Sequence, residues 1–194
     1  MALITDMGVR GLGGEILHPQ MRHKWRLTFN GIGGLIDTQP LTIQAVTCDR
    51  PKLSFEEVVL DRYNSKAYVA GKHQFEAVNA TFEADISGSV SVLLRAQLEL
   101  QQRIIGLGSA PRMPSARAGS DYKFSITQEM LDGDNTALET WYLEGVWIQN
   151  LDYNDLDYTS SDAVRINATF RYDHARQQIT GVSGRATGGM APIL

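Results

Sequence analysis

The chain has 194 residues, of which 43% are hydrophobic and 21% charged, figures that suit one ordinary core and exclude wholesale disorder. With 18 Lys and Arg against 22 Asp and Glu the net charge is −4, too acidic for a surface built on phosphate contacts. A single cysteine, Cys48, excludes a disulfide scaffold and suits a reducing compartment.

Residues 1–21 carry Gly8, Gly11, Gly13 and Gly14 without sustained periodicity and read as an N-terminal arm. They contain no basic leader, and no run of eighteen apolar residues occurs anywhere, so neither a standard export signal nor a membrane helix is expected. From there the main signal is alternation with period two. Trp25, Leu27 and Phe29 alternate with Arg26 and Thr28, predicting a first strand. Leu41, Ile43 and Ala45 alternate with Thr42 and Gln44 beyond the glycines of 31–34, predicting a second strand paired with the first as a hairpin. The clearest run sets Val78, Ala80, Phe82, Ala84 and Ile86 on one face and Asn79, Thr81, Glu83 and Asp85 on the other.

Val90, Leu93, Leu94, Leu98, Ile104 and Ile105 then recur at helical spacing, the core face of one amphipathic helix. Ser87 or Ser89 is placed to cap its start and Gly106 its end. Residues 106–119, broken by Pro111 and Pro114, read as a loop. Tyr122, Phe124 and Ile126, the turn Asp132-Gly133-Asp134-Asn135, a strand around 141–148, and Val164, Ile166, Ala168, Phe170 and Tyr172 complete the alternation. The expected fold is mainly β: an antiparallel sandwich or barrel-like domain over 22–174, flanked by one helix, with residues 175–194 as a glycine-rich extension.

No catalytic, cofactor-binding or metal-ligating set emerges. The glycines of 8–14 lack a preceding strand and a P-loop lysine, and Gly181-Val182-Ser183-Gly184 only approaches a nucleophile elbow. His18, His23, His73 and His174 lack metal-ligand spacing. Asp152, Asp155, Asp157 and Asp162 fail as a calcium loop, because Ser160 stands where the turn glycine is needed and Ile166 where a bidentate Glu is needed. Cys48 has no neighbouring His and reads as a small buried hydrophobe.

Charge order says more. Between Lys123 and Arg165 there is no Lys or Arg, while nine carboxylates fall in that span. Arg10, Arg22, Lys24 and Arg26 sit near the start, with Arg112 and Arg117 after the helix. Separated acidic and basic patches suit head-to-tail self-association. Residues 61–72 add a protruding polar hairpin in which Asp61, Arg62, Tyr63, Asn64, Lys66, Tyr68 and Lys72 are the contact candidates, since tyrosine offers a rigid apolar face with a polar tip.

The order of elements, with Ala67-Tyr68-Val69-Ala70-Gly71 leading to Phe75, then Thr140-Trp141-Tyr142-Leu143-Glu144-Gly145-Val146-Trp147-Ile148 and the last strand to Tyr172, resembles the tail tube proteins of contractile-tailed bacteriophages over roughly residues 22–174. The resemblance implies a non-enzymatic virion protein, assembled in the host cytoplasm as hexameric rings stacked into a tube. Its partners would be further copies of itself, the tail sheath, the tape measure protein, and baseplate and terminator proteins, with no membrane. Viral DNA would pass through the lumen without specific binding. The hairpin would contact neighbouring subunits. A DNA conduit should be acidic, because each cation that neutralises a phosphate holds the strand; Glu76, Glu83, Asp85, Glu139 and Glu144 are the lumen candidates. Two alternatives are a type VI secretion-like tube protein, with protein cargo, and a monomeric β-sandwich binding module.

Overall fold

The computed structural model describes residues 20–34, 37–105, 120–132, 134–159 and 161–179. The glycine-rich stretches 8–14 and 181–184, His18, Arg10, Arg112 and Arg117 lie outside them. The elements are β1 (Trp25–Asn30), α1 (Gln39–Ile43), β2 (Ala45–Cys48), β3 (Leu53–Arg62), β4 (Ser65–Phe75), β5 (Val78–Glu83), α2 (Ser89–Ile105), β6 (Phe124–Leu131), β7 (Ala137–Asp152), β8 (Arg165–Arg171) and β9 (His174–Ile179). Seven strands form one antiparallel sheet in the order β1-β6-β7-β8-β5-β2, with β9 also on β7, and β3 and β4 pair apart as a two-stranded sheet. The expected antiparallel β fold with a flanking helix is the fold observed.

β7 is the spine. Its first half pairs with β6 and with β9, and its second half with β8. Trp147 faces Arg171 and Glu144 faces His174, so β8 and β9 run along the same edge in one register, interrupted at Tyr172 and Asp173. At that interruption β7 carries Gly145 with φ +67°, and a Cβ there would strike the Asp173 carboxylate. Only glycine accepts both conditions. The sheet closes over at this point. In a flat sheet β1 and β5 would stand about 19 Å apart, four strand spacings, yet Phe29 and Phe82 have ring centroids 5.9 Å apart. Phe170 lies 5.8 Å from Phe29 and 6.0 Å from Phe124. These four rings join strands from both halves of the sheet into one core.

α2 closes that core with Val90, Leu93 and Leu94 buried and Leu98 half-buried. Ile104 and Ile105 belong to the helix, but their side chains lie outside the described residues. Gln97 is wholly buried and fully engaged: its Oε1 accepts from Gly33 N at 2.6 Å and its Nε2 donates to the Tyr122 carbonyl at 2.6 Å. A buried amide is tolerated only when both ends are satisfied.

Several local expectations change. Residues 39–43 form a helix where a strand was predicted: Pro40 lacks an N–H and presets φ for a first helical turn. Leu41 is fully buried while Ile43 is 73% exposed, the opposition that two residues show on a helix and not on a strand. The partner of β1 is β6, and β2 pairs with β5, so the first two strands are not a hairpin. β5 stops at Glu83, and Ile86 is fully exposed. Asp85 lies beyond the strand and caps the helix: its Oδ1 accepts from Val90 N at 3.5 Å and its Oδ2 accepts from the Ser87 hydroxyl. A carboxylate outcompetes the predicted serine caps because it favours the positive end of the helix. Residues 174–179 continue the sheet as β9 where the flexible extension was expected to begin at 175.

Candidate functional site

The β3–β4 hairpin stands outside the main sheet. Every residue of β3 is exposed, and in β4 only Gly71 and Phe75 are not. The register places Val58 against Val69 and Leu60 against Ala67 on one face, and Val59 against Tyr68 on the other. An isolated two-stranded hairpin is marginal in water, and among the described residues the apolar groups on both of its faces are left exposed. At the tip, Tyr63 is fully exposed and holds φ +41°, a conformation uncommon for a bulky residue. Asp61 and Lys66 pair across the end at 3.7 Å. The close approach of the two strands depends on Gly71, where a Cβ would lie 3.0 Å from the Glu56 carbonyl oxygen.

Asp61, Arg62, Tyr63, Asn64, Lys66 and Tyr68 thus fall on the outer part of one hairpin, and Lys72 lies on β4 nearer its root. Sequence reading missed its apolar residues, Phe55, Val58, Leu60 and Val69. The signal was present in the run Phe55-Glu56-Glu57-Val58-Val59-Leu60, but a bulge between Phe55 and Glu57 breaks the alternation that would have extended the strand.

Three sets of contacts fix the hairpin root. Phe75 is buried against Tyr172 at 5.5 Å and His174 at 5.7 Å, with His73 at 5.5 Å on the other side. The Asp49 side chain accepts from Asn79 Nδ2 at 2.9 Å, and its carbonyl accepts from Gln128 Nε2 at 3.3 Å. Arg50 forms an ion pair with Glu139, whose Oε1 also accepts from Trp141 Nε1 at 2.5 Å and Gln177 Nε2 at 2.8 Å. These contacts tie the β2–β3 connection to β7 and β9.

Glu139 is therefore not a lumen charge: it is only 7% exposed and structurally committed. Burial pushes its carboxyl up, but the hydrogen bonds from Trp141, Arg50 and Gln177 outweigh this and leave it below the ordinary value. A depressed native value means that its contribution to stability is complete above about pH 4.5 and is lost as pH falls through the lower native value. Arg50→Ala should lower stability by about 1–3 kcal/mol, by leaving a buried carboxylate short of a partner. Glu139→Gln should flatten the acid limb of a melting-temperature profile below that pH; an unchanged limb would contradict the assignment.

The other acidic candidates are scattered. Glu76 pairs with Lys52 at 3.8 Å, and Glu144 with Arg176 at 3.9 Å. Asp85 is half-buried at the helix start. Glu83 alone of the five stands on the polar face of β5. That face is chiefly amides and hydroxyls that satisfy one another: Thr81 Oγ1 donates to Asn167 Oδ1 at 2.9 Å, Thr169 Oγ1 to Asn79 Oδ1 at 2.9 Å, and Asn167 Nδ2 to Asn154 Oδ1 at 3.0 Å.

Among the described residues no three metal-ligating side chains converge, and no helix is long and apolar enough to cross a membrane. The Cys48 thiol is pushed up to about 12, first by burial and then by the charge of Asp49, which leaves it a poor nucleophile at neutral pH.

No protein-family model matches the chain. A tail tube protein of Serratia phage KSP90 is 27% identical over 180 residues, which span 90% of this chain and 97% of that protein. Among solved structures, a chain of the anti-feeding prophage tube-terminating cap superposes with a TM-score of 0.62 at 13% identity, over 93% of this chain and 100% of that one. A chain of the sheath–tube complex of the extracellular contractile injection system PVC gives 0.59 at 14% identity, over 84% of this chain and 93% of that one.

Proposed function

We propose, from the premise that this chain is a relative of phage tail tube proteins and has the fold of tube proteins from contractile injection systems, that it is a structural subunit which builds a tube from copies of itself. The observation that carries the reading is the β3–β4 hairpin, a long element with exposed apolar groups on both faces and, among the described residues, nothing that covers them. Copies would close as hexameric rings, each hairpin lying on a neighbouring copy through Tyr63, Tyr68 and the Val58–Val69 face. Related assemblies lend support: one solved baseplate containing a chain of this fold is six-fold symmetrised. Stacked rings would form the tail tube of a virion, inside a contractile sheath and between a baseplate and a terminator, as a passage for the tape measure protein and then DNA.

We place the lumen on the polar face of β5 and β8. An assembled tube buries its exposed apolar groups and leaves wet the face that has none. Asn79, Thr81, Asn167 and Thr169 direct their hydrogen bonds to one another and to Asp49 and Asn154, and Glu83 stands across from Arg165, so its charge is offset on the same face. With Glu83 set against Arg165 and with Arg171 on the same side of β8, this lumen is nearly neutral and hydroxylated, not the acidic one expected of a DNA conduit. Introducing cations by Glu83→Lys with Asn167→Lys should leave tubes intact and reduce DNA delivery by at least about tenfold at low salt, with recovery as salt rises. Unimpaired delivery by tubes bearing both lysines would remove this face from the lumen. The tube reading itself is tested by the assembly of the purified protein, as set out below.

A further inference from the structure

The loop between β7 and β8, residues 153–164, carries an apolar knob in an acidic setting. Leu156 is 82% exposed and Tyr158 fully exposed, with Asp155 and Asp157 beside them. The loop is shaped to present them. Asp157 accepts from Thr159 N at 2.9 Å and from its hydroxyl at 2.7 Å, fixing the turn at Tyr158. Asn154 Nδ2 closes the base by donating to the Arg165 carbonyl at 2.8 Å.

Elsewhere a cleft of about 690 Å³ opens between the start of β1 and the α1–β2 segment. Its walls include Trp25, Ile43 and Val46, its rim carries Arg22 and His23, and among the described residues no acidic one lines it. Ile43 is the most exposed aliphatic group there. Knob and cleft share no residue, match in apolar character, and are opposite in charge.

We infer that the 153–164 loop of one copy seats in this cleft of the next, with Leu156 and Tyr158 against Trp25, Ile43 and Val46 and with Asp155 facing Arg22. The inference rests on the self-assembly reading and adds to it a contact separate from the hairpin. Each copy offers one knob and one cleft on different surfaces, so the contact is head-to-tail: it generates a ring if the rotation between copies closes and a stack if it does not. Charge at the rim sets which surfaces meet and how fast.

The test uses the full-length chain in a Cys48→Ala background carrying Tyr158→Cys and Ile43→Cys. The variants are assembled and then mildly oxidised, with assembly followed by electron microscopy and linkage by a non-reducing denaturing gel and peptide mapping. The expected result is a ladder of covalent oligomers from assembled protein, linked between positions 158 and 43, and no ladder from either single-cysteine variant. A ladder that stops at a fixed number places the contact within a ring, and one that continues places it between rings. Assembled rods without the ladder, or linkage of position 43 to a position within its own chain, would overturn the contact while leaving the tube reading standing. Failure of the parent protein to assemble even when a pre-assembled baseplate is added would remove both. As a second readout, Asp155→Arg should raise the concentration needed for assembly several-fold, and adding Arg22→Glu should bring it back; absence of that rescue counts against the pairing.

Discussion

Leu94→Asp is expected to abolish the native fold. Leu94 is fully buried on α2, between a sheet that closes over on itself and the helix that caps it. Exposure of that side chain alone would cost about 1.5–3 kcal/mol, and an unpaired carboxylate in its place adds several kcal/mol more. Against a typical total stability of about 5–15 kcal/mol, the sum leaves little native protein. The far-UV spectrum, the melting curve and the soluble yield should all report the loss. A soluble variant that melts cooperatively near the parent temperature would mean that the helix is dispensable to the core. Leu94→Met, which conserves volume, should cost less than about 1.5 kcal/mol and serves as the control.

The second large effect concerns association and not folding. Val58→Lys combined with Val69→Glu replaces the facing pair at the centre of the hairpin by opposite charges, which hold the two strands in register while removing the apolar face. Both positions are exposed in the single chain, so melting should shift by no more than about 4 °C. Assembly should be lost, with sedimentation at monomer mass under conditions where the parent forms high-mass species. Normal assembly by this variant would show that the hairpin face is not an interface. A large drop in melting temperature would show that it packs on its own sheet.

What the sequence disclosed and what it withheld follow from the range of the interactions involved. The alternation read over 78–86 and 164–172, the spacing of Val90, Leu93 and Leu94, and the Asp132 turn are encoded within a few residues; strands form over 78–83 and 165–171, the three aliphatics are buried on α2, and Asp132 Oδ1 accepts from Thr136 N. Strand partners are not encoded locally. The pairing of β1 with β6, a hundred residues away, could not be read from Trp25, Leu27 and Phe29, and a short helix at Pro40 imitated a second strand. Carboxylate roles were the least legible. Glu139 and Glu144 lie five residues apart on one strand, yet one is sealed by Arg50, Trp141 and Gln177 and the other is exposed on the outer surface. Their difference is made by residues distant in sequence. The hairpin was visible through its tyrosines, but its apolar face was hidden by the bulge.

Electron microscopy of the concentrated, purified full-length protein at neutral pH, by negative stain, most directly tests whether the chain builds a tube. Rings of uniform diameter or hollow rods are the predicted outcome, and they should vanish with Val58→Lys, Val69→Glu while the fold persists. Monodisperse monomers that stay monomeric even when a pre-assembled baseplate is added would contradict self-assembly and turn the exposed hairpin into a docking element for some other protein.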